Sequence, residues 1–409
     1  MKKYIDLINK VKDLETIDSN YLHLTAFENI ISNTAKQFLS SKLSSRYYFG
    51  GGENRIIDWN PFTCLGLPEV QDIVDTASSI LARRLHASAV DLRCLSGVHA
   101  MTCVILSVTD PGDSVMSISH NDGGHFSTTQ ILKTTGRSQV FAVFDQEKLD
   151  FNIEETVSVF KENRCKAIYI DISYCINPIN IKALRERLGH EAIIIYDASH
   201  TIGLMFSNKF QSPLTEGADI LCANTHKTLP GTQKALIASK DSTCAEKINT
   251  AISSGLVSSS HTHHLIALAV SVLEMDLHGD EYAKQIIENS NTLGKELSRL
   301  GMEVRTTSDG LYSHSHQVHL YIDNLPNKDL LYSRLVENNI STNFDNRPGG
   351  RLIIRIGVQE VTRRGMKAAE MSQIADLLKR SLYGEQIKNE VVKFNAKYTK
   401  VHYSFDDIN

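Results

Sequence analysis

The chain has 409 residues, of which 42% are hydrophobic and 22% charged, with a formal net charge of −4. That length is too great for one compact core, so two domains are expected, together with an N-terminal arm. The near balance of charge excludes the basic surplus of a nucleic-acid-binding face, and no apolar run is long enough to span a bilayer.

The opening decapeptide interleaves charges with apolar residues and lacks the continuous apolar core of a secretion signal. Seven cysteines stand mostly in apolar contexts without a C-x-x-C pair, which fits buried free thiols in a cytoplasmic enzyme. Residues 1–45 read as a polar-biased helical arm. From about 88 to 242, short apolar, β-branched runs at 90–94, 114–119, 167–172, 192–196, 220–223 and 235–238 alternate with helical stretches. Such runs predict strands buried on both faces, hence a mostly parallel sheet within an α/β layer. A long helix follows, with Tyr282, Ile286, Leu293, Leu297 and Leu300 on one face and Gly301 as its stop. Strand-like 317–322 and 352–356 then bracket a small α+β unit, whose last helix carries Met371, Ile374, Leu378 and Leu382. The segment after Tyr383 is mixed and polar and receives no element. The expected division is an arm over 1–45, a large α/β domain over 46–265 and a small α+β domain over 266–409.

Several residues in this frame carry chemistry. Ser96-Gly97-Val98 opens a helix-like run after a strand-like one, and free backbone N–H groups at a helix start suit a phosphate. A plain helix cap is the alternative. His125 follows Gly123-Gly124, a turn that can aim an imidazole inward to stack on a planar group and move protons near neutral pH; a surface turn is the alternative. Asp197 ends the apolar run 193–196, at the sheet edge where open α/β sheets hold ligands. A carboxylate there needs a cation, and a pyridinium would supply one; a buried Asp capping the next helix is the alternative. Lys227, in Asn-Thr-His-Lys-Thr-Leu-Pro-Gly, follows the next apolar run, so an amine and an acid stand at the ends of neighbouring strands; a solvated loop lysine is the alternative. A pyridine aldehyde cofactor requires that pair: the amine takes the aldehyde and the acid keeps the ring nitrogen protonated. Arg355 lies inside an apolar strand, where its planar fork suits a substrate carboxylate or a structural ion pair. The cluster His261-Thr262-His263-His264 has no acidic or cysteine partner nearby, and no metal is assigned.

Taken together, Thr25-Ala26-Phe27-Glu28-Asn29, Asp122-Gly123-Gly124-His125, Asp197-Ala198-Ser199-His200, Thr225-His226-Lys227-Thr228 and Arg355-Ile356-Gly357 resemble the serine hydroxymethyltransferase branch of fold-type I pyridoxal-phosphate (PLP) enzymes. The resemblance covers most of residues 21 to 383. It implies an aspartate aminotransferase-like large domain with a mostly parallel seven-stranded sheet, a smaller C-terminal α+β domain, and a homodimer with sites at the subunit interface. Within that branch, 120–126, 224–231, 316–319, 357–359, 362–366 and 403–406 are similar to the L-threonine transaldolases of natural-product pathways. By resemblance Lys227 tethers the cofactor, Asp197 faces its ring nitrogen and His125 stacks on the ring. Ser96, Gly97 and Val98 hold phosphate, with Ser173, His200, Thr225 and His226 also at the cofactor. Arg355 takes the amino-acid carboxylate, joined at the substrate by Glu28 and by Tyr47, reaching across the interface, or Tyr48. Folate-dependent members carry Glu-Gly-Tyr-Pro-Gly before Arg-Tyr-Tyr-Gly-Gly. Here Lys42-Leu43-Ser44-Ser45 precedes Arg46-Tyr47-Tyr48-Phe49-Gly50-Gly51, without the glutamate that handles protons in one-carbon transfer. Phe27 also replaces a small polar residue. The expected reaction is retro-aldol cleavage of L-threonine to a cofactor-bound glycyl unit and acetaldehyde, followed by addition to an acceptor aldehyde to give a β-hydroxy-α-amino acid. Folate-dependent hydroxymethyl transfer and simple threonine aldolase cleavage are the alternatives.

Overall fold

Runs of Ile, Val, Leu and Ala too short for helices pair here as strands, and their alternate side chains fill two separate cores. The computed structural model describes residues 1–59, 61–345 and 348–407. Among them the largest sheet has seven strands, ordered 89–91, 235–239, 220–224, 193–197, 167–170, 114–117 and 138–141. All run in one direction except Ala235–Ser239, which is antiparallel to both neighbours. The mostly parallel sheet expected from the sequence is therefore present. Along Ala167–Ile170, Ile168 and Ile170 enter one core while Ala167 and Tyr169 enter the other. Ile194 and Ile195 divide in the same way, as the two-residue period of a strand requires. Burying each such Ile contributes about 1.5–3 kcal/mol.

Helix Thr262–Arg299 leaves the sheet domain and runs 38 residues, about 57 Å at 1.5 Å per residue. It packs on Ala368–Leu382 and Pro68–Leu85 and so joins the large sheet to a smaller antiparallel one, ordered 317–321, 353–357, 343–345. Gly301 ends the chain's turn after this helix at φ +81°, as its position predicts.

Two expectations change. The arm is not helical throughout: Lys2–Asp18 is a long helix, Asn33–Lys36 and Lys42–Ser45 are single turns, and Leu22–His23 between them pairs in parallel with Ile340–Ser341. Leu22 and Leu24 are fully buried, so this stretch is drawn into the core beside the small sheet rather than projecting as an arm. The unassigned tail folds too. Lys388–Asn395 is a helix that buries Val391 and Phe394, and the Asp406 carboxylate accepts the Asn33 and Thr34 amides at 2.7 and 2.9 Å. A polar sequence concealed this because few of its residues face inward.

Candidate active site

Three parallel strands end side by side on acids or amides: Ile170 leads into Asp171, Ile193–Asp197 ends on Asp197, and Ile220–Asn224 ends on Asn224. Strand ends of an open sheet diverge there and leave a crevice. The resulting cleft has Gly97, Val98, His125, Ser173, His200 and Lys227 on its walls.

Asp197 is fixed from both sides. Its Oδ2 accepts the Tyr169 hydroxyl at 2.9 Å and its Oδ1 the Ser199 amide at 2.9 Å. Among the described residues no cation lies within 4 Å of it. Lys227 stands on the loop after the next strand, with its Nζ 3.2 Å from His200 Nε2. Burial pushes this amine down to about 8, and Asp197, the next largest influence, opposes the shift. The lysine loop is held tightly. The Thr228 hydroxyl donates to the His200 carbonyl at 2.8 Å, Asn29 Nδ2 donates to the Lys227 carbonyl at 2.5 Å, and Gly203 packs against Thr228. A Cβ at Gly203 would come within 2.2 Å of the Thr228 carbonyl oxygen, so glycine is required for that approach.

Helix Gly97–Val108 points its N-terminus at the same cleft. Ser96 caps it, accepting the His99 amide at 3.2 Å, and the Gly97 amide donates to Asn224 Oδ1 at 2.8 Å. That leaves the Val98 amide among the unmatched donors of the first turn. A Cβ on Gly97 would lie 2.6 Å from the Asn224 amide nitrogen and close the cradle. His125 caps helix Phe126–Thr134 through its Nδ1, which accepts the Ser127 amide at 3.2 Å, and its ring stacks on Phe126 at 4.6 Å. It is among the residues that line the cleft.

Ser173 places its hydroxyl on the Gly123 carbonyl at 2.7 Å, and its own carbonyl accepts Arg355 Nη1 at 2.9 Å. Arg355 is buried behind this wall, its guanidinium 5.8 Å from the Phe27 ring and 6.0 Å from that of Tyr174. Thr225 and His226 shape the loop rather than line the cleft: the Thr225 hydroxyl donates to the Thr232 carbonyl at 2.8 Å, and burial pushes the His226 ring down to about 4. Glu28 and Tyr47 are exposed. Tyr48 donates to Gln71 Oε1 at 2.6 Å, and burial pushes its hydroxyl up to about 12. One chain alone does not bring these three to the cleft.

Other functional neighbours escaped the sequence reading. Asp171 accepts the His125 amide at 3.0 Å and the Thr128 hydroxyl, and burial raises it to about 7. Ala-Ile-Tyr-Ile-Asp repeats the apolar-run-then-acid pattern of Asp197, so the signal was available. Asn224 and Gln317 gave no such signal, because an amide after or within a strand has many structural uses.

An anchored acid without a cation, an amine close to neutrality and a helix N-terminus thus face one cleft, a donor set that fits a cationic ring bearing an aldehyde and a phosphate. The family model for serine hydroxymethyltransferase matches residues 2–378. A fluorothreonine transaldolase from Streptantibioticus cattleyicolor is 34% identical over 406 residues; the match covers 97% of this chain but only 63% of that protein. The serine hydroxymethyltransferase of Methanobrevibacter smithii is 31% identical over 418 residues, covering 98% of this chain and 97% of that one. An L-threonine transaldolase from Pseudomonas fluorescens, solved in its internal aldimine state, matches the whole chain and 95% of its own at 26% identity and a TM-score of 0.91. With the cleft, the sheet order and these matches in agreement, the chain belongs to the serine hydroxymethyltransferase family, fold-type I transferases that depend on pyridoxal phosphate.

Proposed function

We propose that the chain is an L-threonine transaldolase, which moves a glycyl unit from L-threonine to an acceptor aldehyde and releases acetaldehyde. The observation that carries this reading over folate-dependent transfer lies at 42–51. There a short turn, Lys42–Ser45, stands where the folate enzymes carry their proton-handling glutamate. The similarity to two transaldolases supports it.

The cofactor, when bound, supplies an aldehyde for the lysine and a ring that accepts the electron pair of the broken Cα–Cβ bond. Lys227 holds that aldehyde, Asp197 keeps a proton on the ring nitrogen and His125 covers the ring face. The helix start at Ser96, Gly97 and Val98 takes the phosphate. Ser173 and His200 bound the ring edge, while Thr225 and His226 set the loop that delivers the lysine. Arg355 fixes the substrate carboxylate, which orients the scissile bond before it weakens. His125, or a water beside it, draws the proton from the β-hydroxyl as acetaldehyde departs. The acceptor's carbonyl carbon then receives the electron pair and its oxygen receives a proton.

Tyr47, or Tyr48 in its place, reaches the substrate site from a second copy of the chain, and Glu28 joins them at the substrate. A homodimer is supported by apolar side chains left exposed on Lys2–Asp18 and on the hairpin around Trp59 and Phe62. The arm, 46–265 and 266–409 serve as working domain limits. Among the described residues no helix is long and apolar enough to cross a membrane, and a cytoplasmic setting is proposed on the free cysteines.

An aldehyde panel with L-threonine tests the reading, with acetaldehyde followed through alcohol dehydrogenase and products by mass spectrometry. A β-hydroxy-α-amino acid bearing the acceptor's carbons is expected. Glycine accumulating without adduct would make the chain an aldolase, and faster turnover of serine with tetrahydrofolate would restore the folate reading.

A further inference from the structure

Gln317 begins an edge strand of the small sheet, yet its side chain reaches across into the wall of the cleft. Two backbone groups settle which way its amide faces. Oε1 must accept, because the Cys175 amide donates to it at 3.3 Å; Nε2 must donate, because it meets the Ser173 carbonyl at 3.1 Å. The second proton of Nε2 then points at His200 Nδ1, 3.2 Å away. His319 Nε2, 3.1 Å from Oε1, locks the amide further.

The consequence travels through the imidazole. A ring whose Nδ1 accepts carries its proton on Nε2, and Nε2 faces Lys227 Nζ at 3.2 Å. A protonated lysine would set donor against donor there, so the arrangement favours the amine with a lone pair. We propose that Gln317 is a positioning residue that fixes the Nε2–H tautomer of His200 and thereby favours the neutral Lys227 amine able to take the cofactor's aldehyde. The inference rests on Lys227 being the cofactor tether. The charged and titratable neighbours are consistent with it. Lys227 faces Asp197, Arg355 and Cys175, whereas His200 faces Lys227, Arg355, His316 and His125 and is kept neutral chiefly by burial. His316 stacks on it at 6.0 Å, with Nε2 3.0 Å from the Ala26 carbonyl, so it offers His200 no competing hydrogen bond.

Two readouts test this, and neither uses threonine or an acceptor aldehyde, so the transaldolase reading can fail independently. The first needs no altered side chain in the relay. In full-length protein labelled with ¹⁵N-histidine and stripped of carbonyl compounds, the His200 signals, assigned by their loss in His200→Gln, should show a bare Nδ1 and a protonated Nε2. The reverse tautomer, or a doubly protonated ring at neutral pH, overturns the proposal. The second is the pH profile for covalent capture of pyridoxal 5'-phosphate. Gln317→Met keeps the volume and removes the donor, so the profile should move to higher pH by about one unit, a roughly tenfold slower capture at pH 7. A folded Gln317→Met protein with the wild-type midpoint and rate overturns it equally. If no pyridoxal phosphate reaches Lys227 in the wild type, the tether reading falls, while the histidine spectrum still decides the tautomer.

Discussion

Lys227 is half protonated near pH 8 because burial penalises its charge more than Asp197 and Cys175 favour it. Only the neutral amine attacks an aldehyde, so cofactor capture should rise with pH and level off above about 8; a flat profile from pH 6 to 9 would contradict this. The same shift has a sign in stability. The unfolded amine keeps its proton to about 10.5 and the folded one loses it near 8, so the unfolded state binds more protons between these values. Stability from this group therefore rises with pH across that window. Lys227→Met should accordingly be more stable than wild type at pH 7 in urea, with the gap narrowing by pH 10. Asp171 works in the opposite direction. Raised from 3.8 to about 7, it binds a proton in the folded state that the unfolded chain has already lost, so its contribution falls as pH climbs from 4 to 7. Asp197→Asn should lower turnover about 100-fold or more, the scale of losing one preorganised electrostatic partner. Lys227 and Asp197 were legible in the sequence because chemistry confines each to the end of a strand. Gln317 was not, since its role depends on which atoms of the small sheet meet the large one.

The helix Thr262–Arg299 and the short helix Gln359–Arg363 are joined by an ion pair closed to solvent. Arg363 Nη2 meets Glu274 Oε2 at 2.9 Å, both side chains are 0% exposed, and the Phe405 amide donates to Glu274 Oε1 at 3.1 Å. Arg363 also donates to the Tyr403 carbonyl, so two helices and the returning tail share one buried node. Removing one partner strands the other without water, and Glu274→Ala should cost about 3–5 kcal/mol in urea unfolding. Replacing both with methionine should cost clearly less than the sum of the single changes. Additive losses would show that the pair is not coupled. Hydrophobic periodicity located the long helix and the strands at this scale, because a buried element must repeat its apolar residues. It missed Leu22–His23 and Lys388–Asn395, two short edge pieces held mainly by partners far away in the chain.

Across the whole molecule, the fold class followed from strands buried on both faces, whereas the completion of the site did not. Tyr47 stacks on Phe49 at 5.5 Å, and Phe49 meets Trp59 and Phe62 at 5.5 Å each. This aromatic hairpin and the stripe of Tyr4, Leu7, Val11 and Leu14 lie open to solvent in one chain. Exposed apolar side chains of this kind support the proposed homodimer. Sedimentation should give twice the 45.6 kDa chain mass. A monomer with full transaldolase activity would remove Tyr47 from its proposed place. What bears on the account most directly, however, is where the cofactor becomes attached. Protein loaded with pyridoxal 5'-phosphate, reduced with borohydride and digested should carry a single pyridoxyl group, on the peptide containing Lys227, and Lys227→Ala should carry none. A label on another lysine, or none on wild-type protein, would contradict the account.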